Sequence, residues 1–128
     1  MIDVPTPLEV VQEFFACFDR GDLARAGQLV AEDAVITVFL PEDLVELRGF
    51  EDFVSWYARR RELLGESFSY QVEELLPGNR HAVALITLSR GAGTQRTSWR
   101  QVAVYTVDEG VITALHGYEE PQTRTGNW

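Results

Sequence analysis

The chain has 128 residues, the length of a single domain that can bury a core of its own. Hydrophobic residues make up 45% of it and charged residues 24%, which is an ordinary globular composition. Its net charge of −9 repels phosphate backbones and anionic lipids, so nucleic acid and membrane surfaces are disfavoured as partners.

The chain offers little for a disulfide, a metal or a cofactor. Cys17 is the single cysteine, and the two histidines and scattered carboxylates form no recognisable ligand set. A glycine-rich phosphate loop and a nucleophile elbow are both missing. The first ten residues do not read as a signal peptide, and apolar runs stay below the ~18 residues of a membrane helix. We therefore expect a cytoplasmic protein without metal or cofactor.

Two helices are predicted at the start of the chain. Thr6 and Pro7 are a typical N-cap and first helical position, and apolar residues recur at helical spacing as far as Phe18. Gly21 is suited to end this helix in the left-handed conformation. Asp22 would then cap a second, shorter helix.

A strand, a loop and a third helix follow. Residues 34–40 are apolar and rich in β-branched side chains, which predicts a strand covered on both sides. A short strand is possible at 45–47. Residues 51–64 repeat as a helix, in which the stems of Arg60 and Arg61 should pack on apolar neighbours while their heads find carboxylates.

The second half of the chain predicts four antiparallel strands, at 68–76, 81–90, 95–107 and 111–119, joined by turns rich in glycine, proline and acidic residues. Helices early in the chain and a long meander late favour a single α+β domain. In it, the helices would cover one face of a strongly bent antiparallel sheet.

The last hairpin predicts which side chains share a face. If Asp108–Gly110 closes it, residues whose numbers sum to 218 are opposite each other, so that Trp99 faces Glu119. One face then combines aromatic, small and polar residues, as a ligand cavity does. Its members are Trp99, Gln101, Ala103, Tyr105, Thr113, Leu115, Gly117 and Glu119, with Leu85, Thr87 and His81 added by extension to the preceding strand.

The opposite face of this sheet is flat and apolar, which predicts a homodimer through the outer sheet face. A register slip of one residue or a bulge would exchange the two faces. The residues assigned to the outer face are Ala82, Ala84, Ile86, Leu88, Val102, Val104 and Ala114, with His116 and Tyr118 farther along.

Two stretches resemble a known superfamily: EFFACFDRGDLARAGQLVAEDAVI at 13–36 and VAVYTVDEGVITALHGYEEP at 102–121, with Gly49 opening the third helix between them. They resemble the nuclear transport factor 2-like superfamily, and within it the SnoaL-like polyketide cyclases and ketosteroid-isomerase-like proteins. The resemblance implies a cone-shaped bent sheet, three helices on its concave face, a hydrophobic pocket between them and, commonly, a homodimer.

The resemblance also argues against some activities. The three proton-transfer positions of ketosteroid isomerase correspond to Phe14, Val38 and Ala103, which can neither move a proton nor donate to an enolate. Limonene-epoxide-hydrolase-like sites need two inward aspartates with an arginine, and scytalone-dehydratase-like sites need two neighbouring histidines. His81 and His116 are expected on opposite faces.

SnoaL-like cyclases often place one acid near the end of the last strand, and Glu119 or Glu120 fits that position. Glu119 is the catalytic candidate, since a partly desolvated carboxyl across from Trp99 and beside Gly117 suits proton transfer. Its conversion to Gln should then leave stability at pH 7 equal or higher. Glu119 could instead be a solvated strand-end carboxylate. His116 is the weaker candidate, because a dimer interface or a sheet edge would explain it equally well.

Two functions remain open from the sequence. The first is a cofactor-free cyclase, isomerase or hydratase/dehydratase acting on an oxygenated hydrophobic small molecule. The second is a non-catalytic ligand-binding or dimeric association module. A cavity of roughly several hundred cubic ångströms would favour the enzyme, and touching aromatic rings would favour the module. The expected ligand-binding residues are Phe14, Phe18, Tyr57, Trp99, Gln101 and Tyr105.

Overall fold

A computed structural model describes residues 4–124, a continuous part of the chain that covers every predicted element. Three helices and seven strands follow one another in it. They are α1 (Pro7–Asp19), α2 (Leu23–Gln28), β1 (Val30–Leu40), β2 (Asp43–Arg48), α3 (Gly49–Leu64), β3 (Ser69–Pro77), β4 (His81–Arg90), β5 (Thr97–Asp108), β6 (Val111–Glu119) and β7 (Thr123–Arg124).

All the strands join one bent sheet in the order β2-β1-β6-β5-β4-β3, with β7 added beside β5. Neighbours run antiparallel except β1 and β6, which are parallel. The core lies between the concave face and α1 and α3, which confirms the α+β class. Within 4–124, the helices are too short or too polar to cross a bilayer.

The helix ends agree with the chemistry of their capping residues. The Thr6 hydroxyl accepts a hydrogen bond from the backbone N–H of Glu9, and the Glu9 carboxylate accepts one from the Thr6 N–H, which completes a capping box. The Asp22 carboxylate accepts from the Arg25 N–H at the start of α2. Gly21 has φ +73°, so the predicted left-handed end of α1 is confirmed.

Gly49 fixes the start of α3, two residues before the predicted one. Its φ is +78°, and a Cβ added there would lie 2.8 Å from the Glu32 carbonyl oxygen, so glycine is the residue that fits. From this start α3 lies across β1 and β2. Its last turns therefore reach the cavity.

Strand β1 is longer and less buried than predicted. It begins at Val30, and a register irregularity separates Val30 from Val35. The expectation that both sides are covered is wrong. Ile36 and Val38 are buried on the concave side, whereas Val35 and Phe39 are 38% exposed on the outer side. A run of β-branched residues suits a strand but does not show how many of its faces are covered.

The β5–β6 register differs from the prediction by two residues. Gln101, not Trp99, is opposite Glu119, and Tyr105 is opposite Leu115. The turn contains two residues instead of three, and an irregularity near Thr106 adds one more. A shift of two keeps every side chain on its face, so the concave positions of β5 and β6 are confirmed except at Thr113, which lies in the irregularity.

The face assigned to β4 was wrong. The structure pairs Leu88 with Trp99 and Ile86 with Gln101, so Ala82, Ala84, Ile86 and Leu88 lie on the concave side. Leu85, Thr87 and His81 point to the outer side instead. The connection after Arg90 is six residues long and contains a short 3-10 helix, Gly93–Gln95, instead of a tight turn. This longer connection shifts the register between β4 and β5 by an odd number of residues relative to the prediction. An odd shift moves each side chain of β4 to the opposite face of the sheet.

Candidate functional site

A cavity of about 80 Å³ lies between the helices and the concave face of the sheet. Aromatic side chains of α1 and α3 form one wall, and residues of β1, β4, β5 and β6 form the floor. Five of the six expected ligand-binding residues line it: Phe14, Phe18, Tyr57, Gln101 and Tyr105. Trp99 does not line the cavity: it is 2% exposed on the concave face of β5 and contacts Phe68, which does line it.

The aromatic wall is a connected series of ring contacts. Phe14 meets Phe18 edge-on at 5.0 Å between ring centroids, and Phe18 meets Tyr57 at 6.4 Å. Tyr57 contacts Phe68, which contacts Trp99. These contacts reduce the cavity to well below the several hundred cubic ångströms expected of an enzyme pocket, but they do not fill it.

Glu119 lies at the end of β6 with its side chain 1% exposed, so the alternative of a solvated carboxylate is wrong. Both terminal nitrogens of Arg60 donate to its two oxygens. The indole Nε1 of Trp99 donates to Oε1 at 2.8 Å, and Nε2 of Gln101 donates to Oε2 at 2.9 Å. An ionised carboxylate offers about four acceptor positions, and all are occupied here.

This arrangement differs from the partly desolvated carboxyl, suited to proton transfer, that is expected from the sequence. The charge of Glu119 is balanced by a bidentate arginine, the strongest common partner of a carboxylate. With each oxygen accepting two hydrogen bonds, Glu119 can take a proton from a ligand only after one of its donors leaves. In the geometry observed, Glu119 positions Arg60 and Gln101, which themselves line the cavity.

Arg60 is the main site residue that the sequence analysis did not single out for the site. It lies on α3 one turn after Trp56 and Tyr57, its side chain is 16% exposed, and its guanidinium carbon is 5.3 Å from the centroid of the Trp56 ring. The prediction that the heads of Arg60 and Arg61 find carboxylates is confirmed for Arg60. The signal that the sequence analysis did not use is the helical spacing of three residues between Tyr57 and Arg60, which puts the two side chains on the same side of α3.

Three tyrosines border the cavity: Tyr57, Tyr70 and Tyr105. Burial raises the pKa of each above its ordinary value. Tyr70, which the sequence analysis did not select, donates to the Asp19 carboxylate at 2.8 Å, and this bond raises its pKa further. At neutral pH all three hydroxyls are protonated and can donate.

The remaining candidates lie away from the cavity. His116 is on the outer face, paired with Val104 of β5. His81 is exposed on that same outer face, so the expectation that the histidines lie on opposite faces is wrong. Glu120 accepts from the backbone N–H and from Nε of Arg100 at the surface. Residues 4–124 contain no cluster of three or more His, Cys, Asp or Glu suited to a metal.

The SnoaL-like domain family matches residues 11–115, and the chain belongs to that family. A comparison with curated proteins yields no match. Phe14, Val38 and Ala103, which the sequence resemblance matched to the proton-transfer positions of ketosteroid isomerase, all line the cavity. They present apolar side chains to it.

Solved structures show the same fold. A nuclear transport factor 2-like (NTF2-like) protein from Burkholderia thailandensis has a TM-score of 0.77 at 19% identity, over 91% of this chain and 92% of that one. An NTF2-like protein of unknown function from Mesorhizobium loti has a TM-score of 0.72 at 21% identity, over 94% and 98%. An epoxide hydrolase of M. tuberculosis, described as LEH-like, has a TM-score of 0.64 at 18% identity, over 89% and 82%. At these identities the likeness shows the fold alone.

Replacing Glu119 by Gln should lower the free energy of unfolding by about 3 kcal/mol, because it leaves Arg60 without its counter-charge. This reverses the result expected from the sequence. Urea unfolding at pH 7 measures it. The matched control is Glu120→Gln, which removes a surface ion pair with Arg100 and should cost less than about 1 kcal/mol. Equal losses in the two variants would contradict a buried, energetically coupled pair.

Proposed function

We propose that the protein binds a small, uncharged, hydrophobic molecule that carries an oxygen atom, in the cavity between α1, α3 and the concave face. The observation that carries this proposal is an aromatic-lined space of about 80 Å³ that the surrounding rings leave open. Phe14, Phe18 and Tyr57 supply apolar surface to such a guest. Burial of that surface would provide most of the binding free energy.

The charges of the site favour a neutral ligand. Arg60 is the one cationic side chain among the cavity-lining residues that the structure describes, and Glu119 already neutralises it. A buried ligand carboxylate would therefore lack a free counter-charge, which is costly. Nε2 of Gln101 donates to Glu119, while its Oε1 accepts no hydrogen bond from residues 4–122. That oxygen can accept from a ligand hydroxyl.

The second candidate is catalysis of a cyclisation, isomerisation or hydration/dehydration without a cofactor, with Glu119 as acid/base and Gln101 or Tyr57 polarising a carbonyl. The observation in its favour is that Gln101 contacts both Glu119 and the cavity. If Gln101 swung toward a ligand, Oε2 of Glu119 would gain a free lone pair. The binding function needs no such rearrangement, so it is our first choice.

Filling the cavity should abolish binding while leaving the fold intact. Ala103 is 2% exposed on the cavity floor, and Ala103→Leu adds three carbons to that space. We expect its affinity for acetophenone, used as a neutral oxygenated probe, to fall at least about tenfold by isothermal titration calorimetry. Ala58→Leu, on the exposed side of α3, should bind as the wild type does. Equal affinity in all three proteins would contradict the assignment of the cavity.

We also propose that two copies associate through the outer face of the sheet. Val35, Phe39, Val102 and Tyr118 are 38–47% exposed on neighbouring strands of that face, and the rings of Phe39 and Tyr118 stack at 4.8 Å. A contiguous apolar patch of this kind is typical of an interface. Val104 lies among these residues, opposite His116.

A charge placed on this face should separate the copies. In Val104→Glu, the new carboxylate would be desolvated at the interface without a partner. We therefore expect sedimentation velocity to give a dimer mass for the wild type and a monomer mass for this variant. Leu63→Glu replaces an 84% exposed apolar residue on α3, outside this face, and should remain dimeric. A wild-type monomer, or an unchanged Val104→Glu dimer, would contradict the proposed interface.

A further inference from the structure

Tyr105 presents a polar group that the protein itself does not use. The residue is 4% exposed in β5, between Ala82 of β4 and Leu115 of β6, and its hydroxyl bonds to no group within 4–122, the range whose side chains the structure describes. No polar side-chain atom in that part of the chain is both fully buried and unpartnered. The hydroxyl therefore keeps some accessible surface, and the space next to it is the cavity that Tyr105 lines.

Most other polar groups of the cavity lining have partners or charged neighbours within the protein, and the hydroxyl of Tyr57 interacts with the guanidinium of Arg61. Tyr70 donates to Asp19, and Arg60 and Gln101 both donate to Glu119. The neighbours of Tyr105 are apolar by contrast. Its ring meets those of Phe14 and Phe15 beneath α1, at 6.1 and 5.9 Å. A buried hydroxyl in such surroundings costs free energy unless something else accepts its proton.

The surroundings of Tyr105 also decide what kind of acceptor fits. Burial raises the pKa of its phenol, so the group is a donor at neutral pH. A ligand hydroxyl that accepts this proton would bring a further hydrogen of its own, and the rings of Phe14 and Phe15 beside Tyr105 offer no acceptor for it. A carbonyl oxygen accepts and has no hydrogen of its own to satisfy.

We propose that Tyr105 is the residue that selects and orients the ligand, donating a hydrogen bond from its hydroxyl to a carbonyl oxygen on an otherwise apolar molecule. The inference rests on the proposed binding function, and it adds the ligand class and the atom that is recognised. The rings of Phe14 and Phe15 would then pack on the apolar part of the ligand next to its carbonyl group.

Two ligands of nearly equal shape test this role. Acetophenone carries a carbonyl where α-methylstyrene carries a carbon–carbon double bond. Calorimetric titration of the wild type should show tighter binding of acetophenone. In Tyr105→Phe the affinity for acetophenone should fall about two- to tenfold, the usual worth of one hydrogen bond, while that for α-methylstyrene stays unchanged. Leu63→Ala, at an 84% exposed position of α3 outside the cavity and the outer face, should bind both ligands as the wild type does.

The outcomes separate the two proposals. If both ligands bind but Tyr105→Phe leaves the acetophenone affinity unchanged, or weakens both ligands equally, the role of Tyr105 is overturned and the pocket stands. If neither ligand binds the wild type, the proposed function and this inference both fail. The thermal midpoint gives an independent readout. It should stay equal or rise in Tyr105→Phe, because the hydroxyl has no protein partner, and a marked fall would overturn the inference.

Discussion

The buried ion pair between Arg60 and Glu119 connects the helical wall of the cavity to its floor, the concave face of the sheet. Glu119 ends β6, and Arg60 lies in the last turns of α3, a helix whose backbone rests on β1 and β2 at the far edge of the sheet. The pair therefore fixes how closely the end of α3 approaches the centre of the sheet. Trp99 and Gln101 complete the carboxylate's hydrogen bonds from the neighbouring strand. Removing either charge would leave the other nearly desolvated, which is the expensive outcome for a buried pair.

The same pair decides the chemistry of the site. An acid at the end of the last strand suggests proton transfer when it is read alone, but with four donors around it the carboxylate acts as a structural centre. Its charge orients Gln101, neutralises Arg60 and leaves the cavity electrically neutral. Polar atoms still available to a guest include Oε1 of Gln101 and the hydroxyl of Tyr105. An uncharged, mainly apolar molecule suits that combination.

Much of the fold follows from local signals in the sequence. The Thr6 capping box, Gly21 and Asp22 place α1 and α2 because capping depends on a few neighbouring residues. The concave face of β5 and β6 is also predicted correctly, although the register is off by two, because an even shift preserves the alternation. The face predicted for β4 is wrong because β4 and β5 are joined by a six-residue connection, 91–96, instead of a tight turn. The glycines in this segment indicate a turn but do not show how many residues it contains.

The site was harder to predict because its central contact is non-local. Arg60 and Glu119 are 59 residues apart, and neither the helical spacing of one nor the strand parity of the other shows that they meet. Glu119 was placed on the cavity side and Arg60 was expected to find a carboxylate, but the sequence analysis did not bring the two together as a pair. The free hydroxyl of Tyr105 likewise depends on what surrounds it in three dimensions, namely Ala82, Leu115 and two phenyl rings.

A double-mutant cycle measures the coupling of Arg60 and Glu119 most directly. The free energies of unfolding of the wild type, Arg60→Met, Glu119→Gln and the double variant at pH 7 give the interaction free energy of the pair. An account in which this pair joins α3 to the sheet predicts a coupling above about 1 kcal/mol, with the double variant much less destabilised than the sum of the single variants. Additive losses, with a coupling near zero, would contradict it.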